Sequence, residues 1–286
     1  MTDVQSKVMK GSFKLTRVGV RDVRKPVLVR RPGKDVTLTV TFDIFVDLPA
    51  ELKGSHMSRN LEVLARVIDE SVRKPVTGLE DLGAIICREL LARHEYATCS
   101  EVQMSADYFL ERSLGNGTAS LERYMLKASA TAERGGATRK CIGVEVTGMT
   151  ACPCAMEEVR TIRKTAPDDP LACITHNQRN ITSVFLDVPT DSVVEADRLI
   201  NIVEKCLSSP TFEILKRADE AKVVIDAHAN PKFVEDVVRD VLGEILGQFP
   251  DLPDDVNVSV RSESHESIHK HNAYAERETS LGELRK

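Results

Sequence analysis

Four polar clusters carry side chains able to do chemistry. Cys152-Pro153-Cys154 offers one or two thiolates. A single residue between cysteines is too short for a C-x-x-C redox or zinc-ribbon pair, and proline stiffens the turn. Alone, it reads equally as a thiolate donor or a tight turn. His176-Asn177-Gln178-Arg179 is a polar quartet that suits either a site or a loop start. Between Ser262 and Asn272, His265, His269 and His271 stand with Glu263 and Glu266. Imidazole and carboxylate at such spacing suit a borderline divalent metal such as Zn or Fe(II), the plainer reading being a solvated loop. Ser55-His56-Met57-Ser58-Arg59 could grip phosphate at a helix N-terminus, or be ordinary capping by Ser58. Glu213, Glu220 and Glu235 complete the acids, each by itself a surface residue. A Cys, a His and the His/Glu cluster together fill three or four positions of a catalytic metal site with one left for water. No Walker loop, Rossmann fingerprint or nucleophile elbow is present. Spacing alone therefore reaches a metal hydrolase of unknown substrate.

Elements must position these groups. Val36, Leu38, Val40, Phe42, Ile44, Val46 and Leu48 alternate as a strand with one buried face. Leu61, Leu64, Ala65, Ile68 and Val72 follow at helical spacing, as do Leu79, Leu82, Ile86 and Leu90. Thr77 to Glu80 has capping-box spacing. Strand-like runs follow near 98–111, 119–133 and 139–149, with a hairpin signal at Gly115-Asn116-Gly117. The second half repeats the plan. Thr182, Val184, Leu186 and Val188 alternate; Val193, Ala196, Ile200, Val203 and Leu207 form a stripe. Asn230-Pro231 reads as N-cap and first-turn proline of a helix bearing Val234, Val237, Val238, Val241 and Ile245. Val256, Val258 and Val260 alternate again, and the acidic tail after Tyr274 reads as a surface segment. Strand, two helices, strand thus occurs twice. This implies α+β with antiparallel sheets and helices on one face, one module in 1–150 and one in 151–286.

The 286 residues are 42% hydrophobic and lack Trp, so Val, Ile and Leu must build the core. The net charge of -5 argues against a nucleic-acid binder driven by bulk charge. No apolar run is long enough to span a membrane, and the first residues lack the apolar segment of a secretion signal, so the expected compartment is the cytoplasm. Seven cysteines in no regular framework should be reduced there, special ones serving metal binding or catalysis.

Six stretches in order, FDIFVDL (42–48), SHMSR (55–59), GMTACPC (148–154), THNQR (175–179), FVED (233–236) and ESIHKHNAY (266–274), resemble the type IB GTP cyclohydrolase family. Within it they are most similar to the archaeal branch that serves methanopterin synthesis. The resemblance runs from about residue 13 to the C-terminus. It implies the tunnelling fold (T-fold), two modules in tandem, and a homo-oligomer, dimer or tetramer, with neither nucleic acid nor membrane as partner. It implies that Cys152 is a metal-ligand or catalytic thiol and that His176 and His269 are metal-site histidines. Glu220 and Glu266 are its candidate carboxylates, Glu266 with a catalytic part, and Glu235 anchors the purine. His56, Arg59 and Arg179 are candidates for the triphosphate end, and His271 for a further substrate contact. The implied reaction is hydrolysis of GTP at guanine C8 with loss of formate, using Fe(II), with Zn or Mn as alternatives. The archaeal branch delivers 7,8-dihydroneopterin 2',3'-cyclic phosphate and bacterial members dihydroneopterin triphosphate. The long interval from Cys152 to His176, containing Cys173 as a spare ligand, points to the archaeal branch. Other readings are the same fold making another pterin, and a non-catalytic metal or purine-binding module.

Overall fold

A computed structural model describes residues 5, 8, 13–31, 34–113, 119–165, 174–190 and 192–286. The Gly115 to Gly117 turn and Cys173 lie outside the described residues. In chain order the elements begin with β1 (Leu15–Arg31), β2 (Lys34–Leu48), α1 (Met57–Arg73), α2 (Leu79–Arg93), β3 (Cys99–Ser113), β4 (Ala119–Glu133) and β5 (Thr138–Ala151). There follow α3 (Pro153–Arg163), β6 (Asn177–Asp187), α4 (Ala196–Cys206), a two-residue β7 (Ser209–Pro210) and α5 (Arg217–Ala229). The chain closes with α6 (Val234–Gln248), β8 (Asn257–His265), β9 (Ala273–Ser280) and α7 (Leu281–Leu284). It forms two compact units, one of Met1–Asp107, Leu126–Ile142 and Asp187–Val193, the other of Tyr108–Met125, Gly143–Leu186 and Val194–Lys286.

In the first unit the alternation of β2 does what the pattern requires. Leu38, Val40, Phe42, Ile44, Val46 and Leu48 are at most 5% exposed. β2 pairs antiparallel with β1 on one side and β3 on the other, and β4 and β5 follow in order. β1 carries no readable alternation, because its ladder is shifted between Leu15/Val18 and Val20/Val23. Asp22 sits there at φ 58 and donates its N–H to Asp43 Oδ1. α2 lies directly on the sheet: a Cβ on Gly83 would stand 2.6 Å from Met104 Cε and 3.1 Å from Ala130 Cβ. Its stripe of Leu79, Leu82, Ile86 and Leu90 is buried as the spacing requires.

Three local expectations for this unit are corrected. The buried line of α1 is Asn60, Val63, Leu64, Val67, Ile68 and Ser71, while Leu61 and Val72 are exposed. The stripe rotates because Asn60 turns inward to the buried His94, its Oδ1 2.7 Å from His94 Nε2. The capping box slips by one residue: the N-cap of α2 is Gly78, and Thr77 donates to Asp81 rather than engaging Glu80. Ser58 lies inside α1, whose N-cap is His56.

In the second unit the strand order is β3-β4-β5-β6-β8-β9, with β7 alongside β5. Val184, Leu186, Val258 and Val260 are fully buried, and α6 packs on β8 and β9. Two expectations differ. Asn230 is the C-cap of α5, its amide donating to Leu207 O, and Pro231 follows where no helix can continue. α6 starts at Val234, with Asp236 accepting the Phe233 N–H at 2.9 Å. The acidic tail lies at the surface as expected, and is there the largely exposed edge strand β9, paired with β8 from Ser264↔Ala273 to Asn257↔Ser280 and followed by α7. Its charges hide the strand: Arg261 and Glu276 face each other in register and form an ion pair. No helix among the described residues is long and apolar enough to cross a membrane.

Candidate active site

The end of β5 is the hub of the site, all within the second unit. Cys152 directly follows the strand and N-caps α3, its Sγ accepting the Ala155 N–H at 3.4 Å, while Pro153 supplies the pre-set first-turn φ. The Cys-Pro-Cys segment is therefore a helix start. Cys152 donates its N–H to His176 O at 3.0 Å, and Thr175 Oγ1 donates to Cys152 O at 2.7 Å. Lys232 donates its N–H to Ala151 O at 3.0 Å, which brings the start of α6, and Glu235 in its first turn, to the same strand end. The register Arg179↔His265 places the loop after β8 beside the start of β6. That loop carries Glu266, His269 and His271.

These segments enclose a cavity of about 420 Å³. Cys152, His176, Glu235, Glu266, His269 and His271 line it, together with Gln178, Phe233, Ser264 and Tyr274. His176 Nδ1 lies 3.5 Å from Glu266 Oε2, and these side chains are only 11% and 9% exposed. The His176 and His269 rings stand edge to face at 6.2 Å between centroids, and His269 and His271 stack at 5.1 Å. Five of the sequence's imidazole and carboxylate candidates, His176, Glu235, Glu266, His269 and His271, thus line one cavity with the thiol.

Other candidates stand elsewhere. Arg179 is exposed, on the face of β6 opposite Gln178 and Asn180, and does not line the cavity. Glu220 is exposed on α5 and does not line it either. His56 and Arg59 belong to the first unit, at the N-terminus of α1. There Tyr96 Oη lies 3.0 Å from His94 Nδ1 and donates to Ser55 Oγ at 2.7 Å, bracing the loop. Burial first, then the charges of Arg59 and His56, lowers the His94 pKa to about 4. Sequence reasoning missed Gln178, Phe233, Ser264 and Tyr274. The signal was their position inside the same polar stretches, but nothing in residue type alone marks a buried glutamine as part of a site.

No group of three or more His, Cys, Asp or Glu side chains among the described residues is already gathered around a point that could hold a metal ion. The fit to one rests on the donors themselves. Glu266 Oε2 is buried without a hydrogen-bond partner, an anionic oxygen facing a site of thiol and imidazole. Such a mixed set suits Fe(II) or Zn.

A family model described as Type I GTP cyclohydrolase folE2 matches residues 1–275. The chain belongs to that family. Members of the family are hydrolases, and so is this chain. It is 43% identical to GTP cyclohydrolase MptA of Methanothermobacter thermautotrophicus over 99% of this chain and 94% of that one. It is 42% identical to GTP cyclohydrolase MptA 2 of Methanocella arvoryzae, over 100% of this chain and 98% of that relative. Among solved structures it is similar to uricase from Arthrobacter globiformis, with TM-score 0.54 and 11% identity over 96% of both chains. That likeness concerns the fold alone, and the fold is the tunnelling fold, α+β with an antiparallel sheet and helices on one face.

Proposed function

We propose that this family member is of type IB and converts GTP to 7,8-dihydroneopterin 2',3'-cyclic phosphate with release of formate and diphosphate, opening a tetrahydromethanopterin-type pterin pathway. The supporting observation is the convergence of Cys152, His176, Glu266 and His269 on a cavity whose rim also carries Glu235. The near-full-length similarity to GTP cyclohydrolases MptA supports the archaeal reading.

Cys152, His176 and His269 would hold the cation, with Glu266, whose buried oxygen lacks a hydrogen bond, favoured over the exposed Glu220. Fe(II) is the proposed ion, with Zn or Mn able to use the same donors. When bound, it supplies Lewis acidity that activates water near neutral pH. The protein's own groups do the rest. Glu235 accepts the ring N–H and the amino N–H of guanine, an edge that two carboxylate oxygens match. That contact orients C8 toward the thiol and imidazole wall. His271, stacked on His269, gives a second imidazole for substrate contact. Water adds at C8, the imidazole ring opens, formate leaves, and rearrangement of the sugar with reclosure gives the dihydropterin. A neighbouring hydroxyl of the pterin side chain attacks the innermost phosphate and expels diphosphate. His56, Arg59 and Arg179 are assigned to the triphosphate end on charge alone. We further propose two T-fold modules, 1–150 and 151–286, on the repeated strand–helices–strand order, and a homo-oligomeric enzyme, dimer or tetramer, in the cytoplasm.

The test is anaerobic loading with Fe(II), incubation with GTP, and measurement of formate together with the product's mass. Formate with a cyclic phosphate supports the reading. A dihydroneopterin triphosphate would move the enzyme to the other product class. No formate with any divalent metal would leave a binding module.

A further inference from the structure

Behind His176 the sheet interior is polar where strand alternation would place aliphatic residues. Gln178, Asn180 and Thr182 follow one another on the buried face of β6, which continues as Val184 and Leu186. Gln178 is 8% exposed, Ser264 is 1%, and Thr150, Asn180, Thr182 and Ser262 are 0%. Burying six polar side chains costs stability unless each is bonded. They are. Asn180 Nδ2 donates to Ser262 Oγ at 2.8 Å and to Ser264 Oγ at 3.0 Å, and its Oδ1 accepts from Thr182 at 2.7 Å. Ser264 Oγ meets Thr150 Oγ1 at 2.9 Å, and Gln178 Nε2 donates to Thr150 Oγ1 at 3.2 Å.

This ladder ends at the site. With its NH₂ committed to Thr150, the Gln178 amide presents Oε1 to His176 Nδ1 at 2.9 Å. A carbonyl oxygen only accepts, so that nitrogen must carry the proton. Glu266 Oε2 stands 3.5 Å from the same nitrogen without a hydrogen bond to it. Neutral imidazole then has its lone pair at Nε2. We propose that Gln178 is a positioning residue: locked by the Thr150–Ser264–Asn180 ladder, it holds His176 in the Nδ1–H tautomer and presents Nε2 to the cation. This rests on the reading of His176 as a metal ligand. Partners of this kind, one bond behind a ligand, commonly change metal affinity by roughly 10–100-fold.

The experiment has two readouts, neither of them turnover. ¹⁵N NMR of the metal-free, histidine-labelled native protein, above the histidine titration range, identifies the protonated nitrogen of His176. Nδ1–H is expected, and Nε2–H overturns the proposal; this reading needs no substitution and stands even where a variant misfolds. Co(II) affinity, followed by its visible absorption, should fall roughly 10–100-fold in Gln178→Ala. Gln178→Glu keeps an acceptor toward Nδ1 and should recover most of that loss. Unchanged Co(II) affinity in Gln178→Ala, or no recovery in Gln178→Glu, overturns the proposal. Failure of the GTP reading appears as absent formate and leaves both readouts where they are.

Discussion

The main chain of Cys152 is hydrogen-bonded to the main chain of His176: the cysteine N–H donates to the histidine carbonyl at 3.0 Å. The strap is closed by Thr175 Oγ1 on the Cys152 carbonyl. The two proposed ligands are therefore brought together by one main-chain bond and the Thr175 strap, neither of which uses their own side chains.

Removal of the thiol should accordingly cost chemistry rather than structure. Cys152→Ala keeps both bonds to the main chain of residue 152 and loses only the weak cap on Ala155, worth about 1 kcal/mol or less. Thermal melts should stay within a few degrees of the native protein, while formate release from GTP falls to background. Activity at the native level would remove Cys152 from the machinery.

Glu235 stands at the first turn of α6 on the cavity wall, and its proposed work is the guanine edge. Glu235→Ala leaves the ring N–H and the amino N–H of guanine without an acceptor, at about 1–3 kcal/mol each. Binding of GTP, read by calorimetry on the metal-loaded enzyme, should weaken by at least roughly tenfold, with the melting profile unmoved. Equal affinity would put the purine elsewhere.

A separate prediction concerns the first unit. Glu80 is 3% exposed, and its Oε2 has no hydrogen-bond partner. Burial pushes its pKa up from 4.5 to about 7. The sign follows from linkage: the folded chain holds this proton more tightly than the unfolded one. The stability tied to the neutral carboxyl is complete below about pH 4.5 and is lost as pH rises through about 7. The full effect is about 3 kcal/mol. Glu80→Gln should gain stability relative to the native chain between those limits, as urea melts at each pH would measure. A difference independent of pH would contradict the assignment.

The sequence made some of this legible and hid the rest for physical reasons. β2 and the α2 stripe were readable because one face of each is buried, from Leu38 to Leu48 and from Leu79 to Leu90. β1 was not, because its bulges break the period of two. β9 was not, because its pairing rests on cross-strand charges such as Arg261 with Glu276. α1 was readable as a helix but not as a face, since a polar residue, Asn60, turns inward to His94. At the site, the reactive residue types announced themselves locally. Their convergence depends on backbone bonds such as Lys232 to Ala151 that no spacing encodes. Gln178 stayed hidden because its importance lies in what stands on either side of it.

The most direct test of the account is whether Cys152 sulfur is bound to the cation. X-ray absorption on the Zn-loaded protein should give one sulfur scatterer at about 2.3 Å among nitrogen and oxygen ligands. That scatterer should vanish in Cys152→Ala. A native spectrum without sulfur, or a sulfur signal that survives the substitution, would contradict it.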